Sequence, residues 1–341
     1  MQVFIVGAGA SAEFGLPVGA TLKEQIIKLC EFRFDEWGKL RSGDRNFLRY
    51  CEGLVQRDGL PRVQARLILT SIFQKLNLAP SIDNFLNMNR ANETLVKVGK
   101  AAIIWVLKDA ETRSTLRNAE NPTGPKLEAS NGTWLHKYFM SLATRGSLEE
   151  VLACLGNTKF VCFNYDRCIE QYLYFALKAY FDLDQTHETE LLSAINVIHT
   201  YGTIEVFQPD GSGGSNFGKE SYGNLRIAPE NIRTFSEGSE ENTQKEIRLL
   251  FTPNTQVVFL GFGFLELNLE LLFGSDRYDV LEVVGTTKGM SQDDEEITTK
   301  YLKTTLFKSY GSTDFALFQD VHLANLTCAQ LFDYFGKRLA G

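Results

Sequence analysis

A glycine-rich stretch near the start of the chain, FIVGAGASAEFGLPVG (4–19), has residue types that suit phosphate binding. Gly7, Gly9 and Ala12 fit the pattern G-x-G-x-x-G/A, in which small residues let the backbone approach a pyrophosphate at a helix N-terminus. Backbone N–H groups from Gly7 to Ser11 would then contact the phosphates. The pattern therefore predicts a nucleotide-binding turn directly after an apolar strand.

The chain after these glycines departs from an ordinary dinucleotide-binding unit. Pro17 lacks the N–H that a helix interior needs, so the chain must turn within one helical turn of the glycines. TLKEQIIKLCEF (21–32) has the pattern of a helix, whereas the ordinary unit reaches a second strand that ends in Asp or Glu. We interpret the region as a phosphate cradle followed by a short turn and a flexible lid.

Polar residues with catalytic potential follow two later apolar runs. KFVCFNYD (159–166) ends with Asn164 and Asp166, and VIHTYGTI (197–204) contains His199. An amide can orient a ribose or a water, a carboxylate can stabilise positive charge, and a histidine with a pKa of about 6.5 can accept a proton. The competing explanation is structural, because Asn and Asp after a strand often cap the next helix.

The elements that must position these residues form a repeating pattern of short β-rich runs, most of them followed by a helical segment. The runs are VFIVGAG (3–9), KFVCFNYD (159–166), INVIHTYG (195–202), VVFLGFGF (257–264), VLEVVGTT (280–287) and FALF (315–318). Apolar runs of this length that alternate with helices predict an α/β fold with a parallel sheet of about six strands, covered on both faces.

A large helical insertion is predicted after the first strand, because several segments there have apolar residues near helical spacing. We expect the first part of the nucleotide-binding domain at 1–29, the helical module at 30–155 and the remainder of the domain at 156–341. A polar, glycine-rich stretch near 205–240 predicts a small irregular lobe.

Composition restricts the function classes. The chain has 341 residues, 44% of them hydrophobic, and a net charge of −7 without a long basic run, which disfavours nucleic acid as the main ligand. The first strand leaves no room for an export signal, and AAIIWVL (101–107) is too short to span a bilayer. We therefore expect a cytoplasmic protein without membrane contact.

No metal site is expected. The six cysteines are scattered without a C-x-x-C pair, so they are predicted to be reduced thiols, and no zinc should be bound. The acidic run DDEE (293–296) follows Ser291, which favours a capped helix start over a metal site.

Several motifs together resemble those of the sirtuins. G-A-G-x-S followed by G-[I/L]-P is similar to their first signature, FNYD to their Asn-x-Asp segment, VIHTYGTI to the strand that carries the histidine, and LGFGF to a later strand end. With SIDNFL (81–86), these motifs resemble most closely the zinc-less sirtuin-like proteins of bacterial anti-phage systems. The resemblance extends from Gly7 to Asn268 and implies a Rossmann-like domain that binds NAD.

The resemblance also implies the roles of individual residues. Asn164, His199 and Asp166 would be catalytic. The NAD-binding residues would be Gly7, Ala8, Gly9, Ser11, Pro17, Asp83, Tyr201, Gly202, Gly261, Gly263 and Asn268.

The chain departs from the sirtuin deacylases in two features. It has no cysteine pairs for their zinc module, and Tyr201 stands directly before Gly202 where deacylases place histidine. His199 lies two positions earlier and, on a strand, shares a face with Tyr201. Both residues therefore stay candidates for the position of the base.

The function implied is an NAD+ glycohydrolase that acts in anti-phage defence by depleting NAD+. Proteins of this kind assemble as homo-oligomers or act beside a separate ATPase, so both are expected as partners. Two alternatives stay open: an NAD-dependent protein deacylase, and a non-catalytic sensor of NAD or ADP-ribose.

Overall fold

A computed structural model describes residues 1–117, 124–209, 217–218, 228–234, 237, 241–308 and 320–339. Its strands are β1 (Gln2–Val6), β2 (Arg33–Phe34), β3 (Leu40–Ser42), β4 (Thr158–Cys162), β5 (Val197–His199), β6 (Gln256–Leu260), β7 (Glu282–Thr286) and β8 (Val321–Ala324). Six of them form one parallel sheet in the order β5-β4-β1-β6-β7-β8, while β2 and β3 form a separate antiparallel pair. The predicted α/β, Rossmann-like fold is confirmed.

The described residues contain fourteen α-helices. They are α1 (Ala8–Ser11), α2 (Gly19–Leu29), α3 (Arg45–Arg57), α4 (Val63–Lys75), α5 (Ile82–Met88), α6 (Glu93–Glu111), α7 (Trp134–Ala143), α8 (Leu148–Gly156), α9 (Cys168–Tyr180), α10 (Glu188–Ala194), α11 (Glu241–Arg248), α12 (Glu266–Phe273), α13 (Gln292–Leu306) and α14 (Cys328–Leu339).

The central strand β1 is buried on both faces of the sheet. Phe4 and Val6 belong to one apolar core, and Val3 and Ile5 belong to the core on the opposite face. This division follows from the strand itself, because successive side chains point to opposite faces. The continuous apolar run at the start of the chain therefore reports a strand covered on two sides.

The helices between β1 and β4 pack in two groups. Helices α2 to α6 share an apolar core, in which the ring of Trp105 lies 5.2 Å from that of Phe47. Helix α7 packs on the sheet instead, where Tyr138 contacts Phe4 and Phe160 edge-on at 5.3 Å and 5.7 Å. The predicted domain boundaries after residues 29 and 155 stay predictions.

The edges of the sheet differ most from the sequence prediction. The strand predicted at 315–318 lies outside the described residues, and so does the GSGGS stretch at 211–215. The sixth strand of the sheet is β8, at Val321–Ala324. The acidic run after Ser291 begins α13, and the Ser291 hydroxyl accepts a hydrogen bond from the Asp294 N–H, so the capped helix start is confirmed.

None of the helices described above has both the length and the apolar character needed to cross a bilayer. Within the same residues, no group of three or more His, Cys, Asp or Glu side chains is arranged to hold a metal ion.

Candidate functional site

The turns after β1 and β6 pack against each other through their backbones. These two strands are neighbours in the sheet, and the strand order reverses between them. The N–H of Gly7 donates to the Leu260 carbonyl at 2.9 Å, and the N–H of Gly9 donates to the Gly261 carbonyl at 3.0 Å. A Cβ atom on Gly7 would lie 2.5 Å from the Gly261 oxygen, so a larger residue would force the turns apart. These two N–H groups donate to the β6 turn, and the glycines allow the close approach of the two turns. The predicted phosphate contacts from Gly7 to Ser11 stay a prediction.

The chain breaks after the glycines as predicted. Helix α1 has four residues and is followed by a 3-10 turn at Ala12–Phe14, after which Gly15 has a φ of 85°. This left-handed conformation favours glycine, and it directs the buried Leu16 into the core before Pro17. The role of the following segment as a lid stays a prediction.

Asn164 links the β4 end of the sheet to the glycine-rich turn. Its Nδ2 donates to the Gly7 carbonyl at 2.9 Å and to the Ser11 Oγ at 2.8 Å. Because a carbonyl only accepts hydrogen bonds, this pair of contacts fixes which end of the amide is nitrogen. The Asn164 Oδ1 receives no hydrogen bond from any described residue and is therefore an oriented, available acceptor.

Asp166 belongs to the same hydrogen-bonded group. Its carboxylate accepts the Cys168 N–H at 3.1 Å, which caps the start of α9, as the structural explanation of this residue predicted. Burial raises the pKa of Asp166, and hydrogen bonds from Ser11 and Cys168 partly oppose that rise. Ser11 thus lies between the Asn164 amide and the Asp166 carboxyl.

His199 ends β5 and has both ring nitrogens engaged. Its Nε2 lies 2.8 Å from Glu170 Oε1, and its Nδ1 lies 3.2 Å from the backbone carbonyl of Asn164. Burial lowers the pKa of His199, but the Glu170 carboxylate outweighs burial and the pKa stands well above its ordinary value. Because a carbonyl only accepts hydrogen bonds, Nδ1 is the donor to Asn164, and the raised pKa favours a charged ring whose Nε2 also donates to Glu170.

Tyr201 lies on the other side of the β4 end from His199. Its hydroxyl donates to Asn268 Oδ1 at 2.9 Å, and its ring meets Phe163 edge-on at 5.9 Å. Gly202 forms an isolated bridge with Ile232. The structure therefore brings Tyr201 and Asn268 together in one buried contact.

Asp83 enters this region from the helical module. It lies on α5, and the Tyr165 hydroxyl approaches its Oδ1 at 3.3 Å while donating to the Arg233 carbonyl at 2.8 Å. Tyr165 packs against both the helical core and the sheet core. Because it directly follows Asn164 in the chain, Tyr165 connects Asp83 to the Asn164 turn.

We expect Asp83→Asn to stabilise the protein above pH 6. Burial raises the pKa of Asp83 from 3.8 to about 6. The folded protein therefore favours the neutral form of Asp83. The stability that this preference contributes is complete below pH 3.8 and is lost as the pH rises through about 6, where the buried carboxyl becomes charged. The variant should gain about 3 kcal/mol over wild type at pH 8 and almost nothing near pH 4, since each pKa unit corresponds to about 1.4 kcal/mol. Urea unfolding at both pH values measures this; an equal difference at both would contradict it.

The turn after β6 completes the region. The Gly261 N–H donates to the Thr286 hydroxyl at 2.8 Å, and the rings of Phe262 and Phe264 are buried in the same core as Val3 and Ile5. Phe264 has a φ of 50°, a strained conformation for a bulky residue. Three further predicted binding residues lie nearby in the chain. Ala8 begins α1, Pro17 lies between Leu16 and α2, and Gly263 lies between Phe262 and Phe264.

Sequence reasoning did not identify two acidic residues beside the site. Glu170 pairs with His199, and Glu111 at the end of α6 forms a two-pronged ion pair with the buried Arg167, with both N–O distances at 3.1 Å. Arg167 directly follows Asp166, so this ion pair ties the helical module to the Asn164 turn. The only sequence signal was an arginine inside the FNYDR segment.

Comparison of the sequence with protein-family models and with curated proteins finds no match.

Proposed function

We propose that this chain is an NAD+ glycohydrolase, which cleaves NAD+ to ADP-ribose and nicotinamide. The observation that carries the proposal is the orientation of Asn164, whose amide nitrogen is held by Gly7 and Ser11 while its oxygen stays available. An acceptor held in this way can orient a water or a ribose hydroxyl without reorganising during the reaction.

The location of this acceptor supports a nucleotide ligand. In open parallel sheets, ligands bind beyond the carboxyl ends of the strands where the strand order reverses, here between β1 and β6. Asn164 and Ser11 lie beside that point. NAD+ would therefore lie across the carboxyl ends of β1, β4 and β6.

The chemistry requires little proton transfer. The bond between the ribose carbon and the nicotinamide nitrogen breaks, and its electron pair leaves with the ring, which departs neutral. Water forms the new bond to the ribose carbon and loses one proton to solvent. The enzyme must orient that water, and Asn164 Oδ1 is the acceptor that we propose for this. The enzyme must also avoid adding positive charge next to the ribose carbon, which itself becomes positive. The Glu170–His199 pair adds none because it is neutral overall.

The biological role that we propose is NAD+ depletion in anti-phage defence, in a homo-oligomer or beside a separate ATPase. This part of the proposal is supported by the likeness of the motifs from Gly7 to Asn268 to those of sirtuin-like defence proteins.

A second candidate function is a non-catalytic NAD or ADP-ribose sensor. The observation that favours it is that neither His199 nor Tyr201 offers a free base, since both donate to other residues. A sensor would bind the nucleotide at the same strand ends and leave it intact.

Incubation of the purified chain with NAD+, followed by chromatographic separation of the products, tests these functions. Hydrolysis predicts nicotinamide and ADP-ribose in equal amounts without a peptide. Retained NAD+ that stays bound supports the sensor, and nicotinamide release that requires an acylated peptide supports a deacylase.

A further inference from the structure

A buried ion pair holds the backbone of Asn164 in place. Glu170 lies in the first turn of α9, His199 ends β5, and Asn164 lies in the turn between β4 and α9. The His199 ring bridges the other two residues, since one nitrogen contacts Glu170 and the other contacts the Asn164 carbonyl. Three separate segments therefore meet through one imidazolium.

Stability alone does not explain Glu170. The side chains of His199 and Glu170 are only 13% and 16% exposed, and Glu170 Oε2 is buried without a hydrogen bond from the described part of the chain. A buried carboxylate oxygen that lacks a partner costs free energy, which offsets part of what the ion pair contributes to stability. Buried charged groups with shifted pKa values cluster at functional sites.

The groups that face the His199 ring are Cys162 from β4, Asp166 from the β4–α9 turn and Glu170 from α9. Burial keeps Cys162 in its neutral form because it raises the pKa of that thiol. Glu170 is therefore the group whose removal most changes the charge of His199. The buried cation Arg167, which directly follows Asp166, is neutralised by Glu111.

We propose that Glu170 is a positioning residue for hydrolysis: its contact with His199 holds the ring against the Asn164 carbonyl and thereby fixes the orientation of the Asn164 amide. The inference rests on the proposed function. It differs from the expectation that His199 is a general base, because the charged form of the ring is the active form.

Glu170→Gln tests the proposal through the pH dependence of NAD+ cleavage. Glutamine keeps the size and the hydrogen-bond acceptor but removes the charge, so burial should lower the pKa of His199. We expect activity within about twofold of wild type at pH 5.5 and a loss of about tenfold or more at pH 8, since tenfold corresponds to one pKa unit. NMR titration of the His199 ring should show the lowered pKa. Urea unfolding should show that the variant stays folded at both pH values, although removing one partner of a buried ion pair lowers its stability.

Asp184→Asn is the matched control. Asp184 pairs with His187 at 3.1 Å on the surface, so this change removes an acidic partner of a histidine away from the site and should leave the pH profile unaltered.

Three results would overturn the proposal, and they are distinguishable. If Glu170→Gln cleaves NAD+ with the wild-type pH profile although the His199 pKa falls, the positioning role is wrong and hydrolysis stands. If Glu170→Gln is instead more active than wild type at pH 8 and loses activity towards low pH, neutral His199 is the active form and is the base. If the wild-type protein cleaves no NAD+, the proposed function fails and the positioning role fails with it.

Discussion

Asn164→Ala should lower the rate of nicotinamide release by at least about 10²-fold, the cost expected when a reacting group is no longer held in place. The alanine removes the side chain whose nitrogen contacts the Gly7 carbonyl and the Ser11 hydroxyl and whose oxygen is the proposed acceptor. Binding of NAD+ should persist, because the turns after β1 and β6 keep their mutual contacts. Single-turnover release of nicotinamide and equilibrium dialysis of NAD+ measure the two effects separately.

Asn157→Ala is the control for this experiment. Asn157 is exposed and directly precedes β4, so it lies at the opposite end of the strand from Asn164. Its replacement should leave cleavage unaltered. Circular dichroism should show both variants folded, although Asn164→Ala leaves the Gly7 carbonyl with one partner fewer, at a cost of about 1–3 kcal/mol. A folded Asn164→Ala protein with the wild-type rate would remove Asn164 from the mechanism.

Glu111→Ala should lower the free energy of unfolding by about 3–5 kcal/mol, the largest stability effect that we expect. Arg167 is 1% exposed and Glu111 is 2% exposed, so the change leaves a guanidinium buried without its main partner. Glu205 lies 3.6 Å from the other end of Arg167 and replaces only part of this interaction. Urea unfolding monitored by fluorescence provides the measurement.

Glu241→Ala supplies the comparison. Glu241 and Lys245 form an exposed ion pair within α11, and exposed pairs of this kind contribute little to stability because solvent screens them. If the Glu111 and Glu241 variants lose equal stability, the Glu111–Arg167 pair does not hold the helical module on the Asn164 turn.

The positions of most strands could be predicted because burial on both faces leaves continuous apolar runs. The run Val257–Phe264 predicts a strand in this way, and β6 (Gln256–Leu260), which overlaps it, is buried throughout. Strand β8 was not identified, because VHLA has four residues of which only Val321 is fully buried. A short edge strand covered on one side leaves a weak pattern.

The site could be predicted in part for a similar reason. Parallel strands place their carboxyl ends at one edge of the sheet, so residues after β1 and β4 had to meet, and Asn164 does contact Ser11. Glu170 could not be distinguished from an ordinary acidic residue in the first turn of a helix. Its contact with His199 depends on how β5 is placed beside β4, which is a tertiary relationship.

A single-turnover experiment with the full chain in molar excess over NAD+ tests most directly whether this protein hydrolyses NAD+, because even a restrained activity then completes one cycle. We expect nicotinamide and ADP-ribose to appear in a ratio of one to one and all NAD+ to be consumed. Intact NAD+ after prolonged incubation with the folded protein would show that the chain is not an NAD+ glycohydrolase.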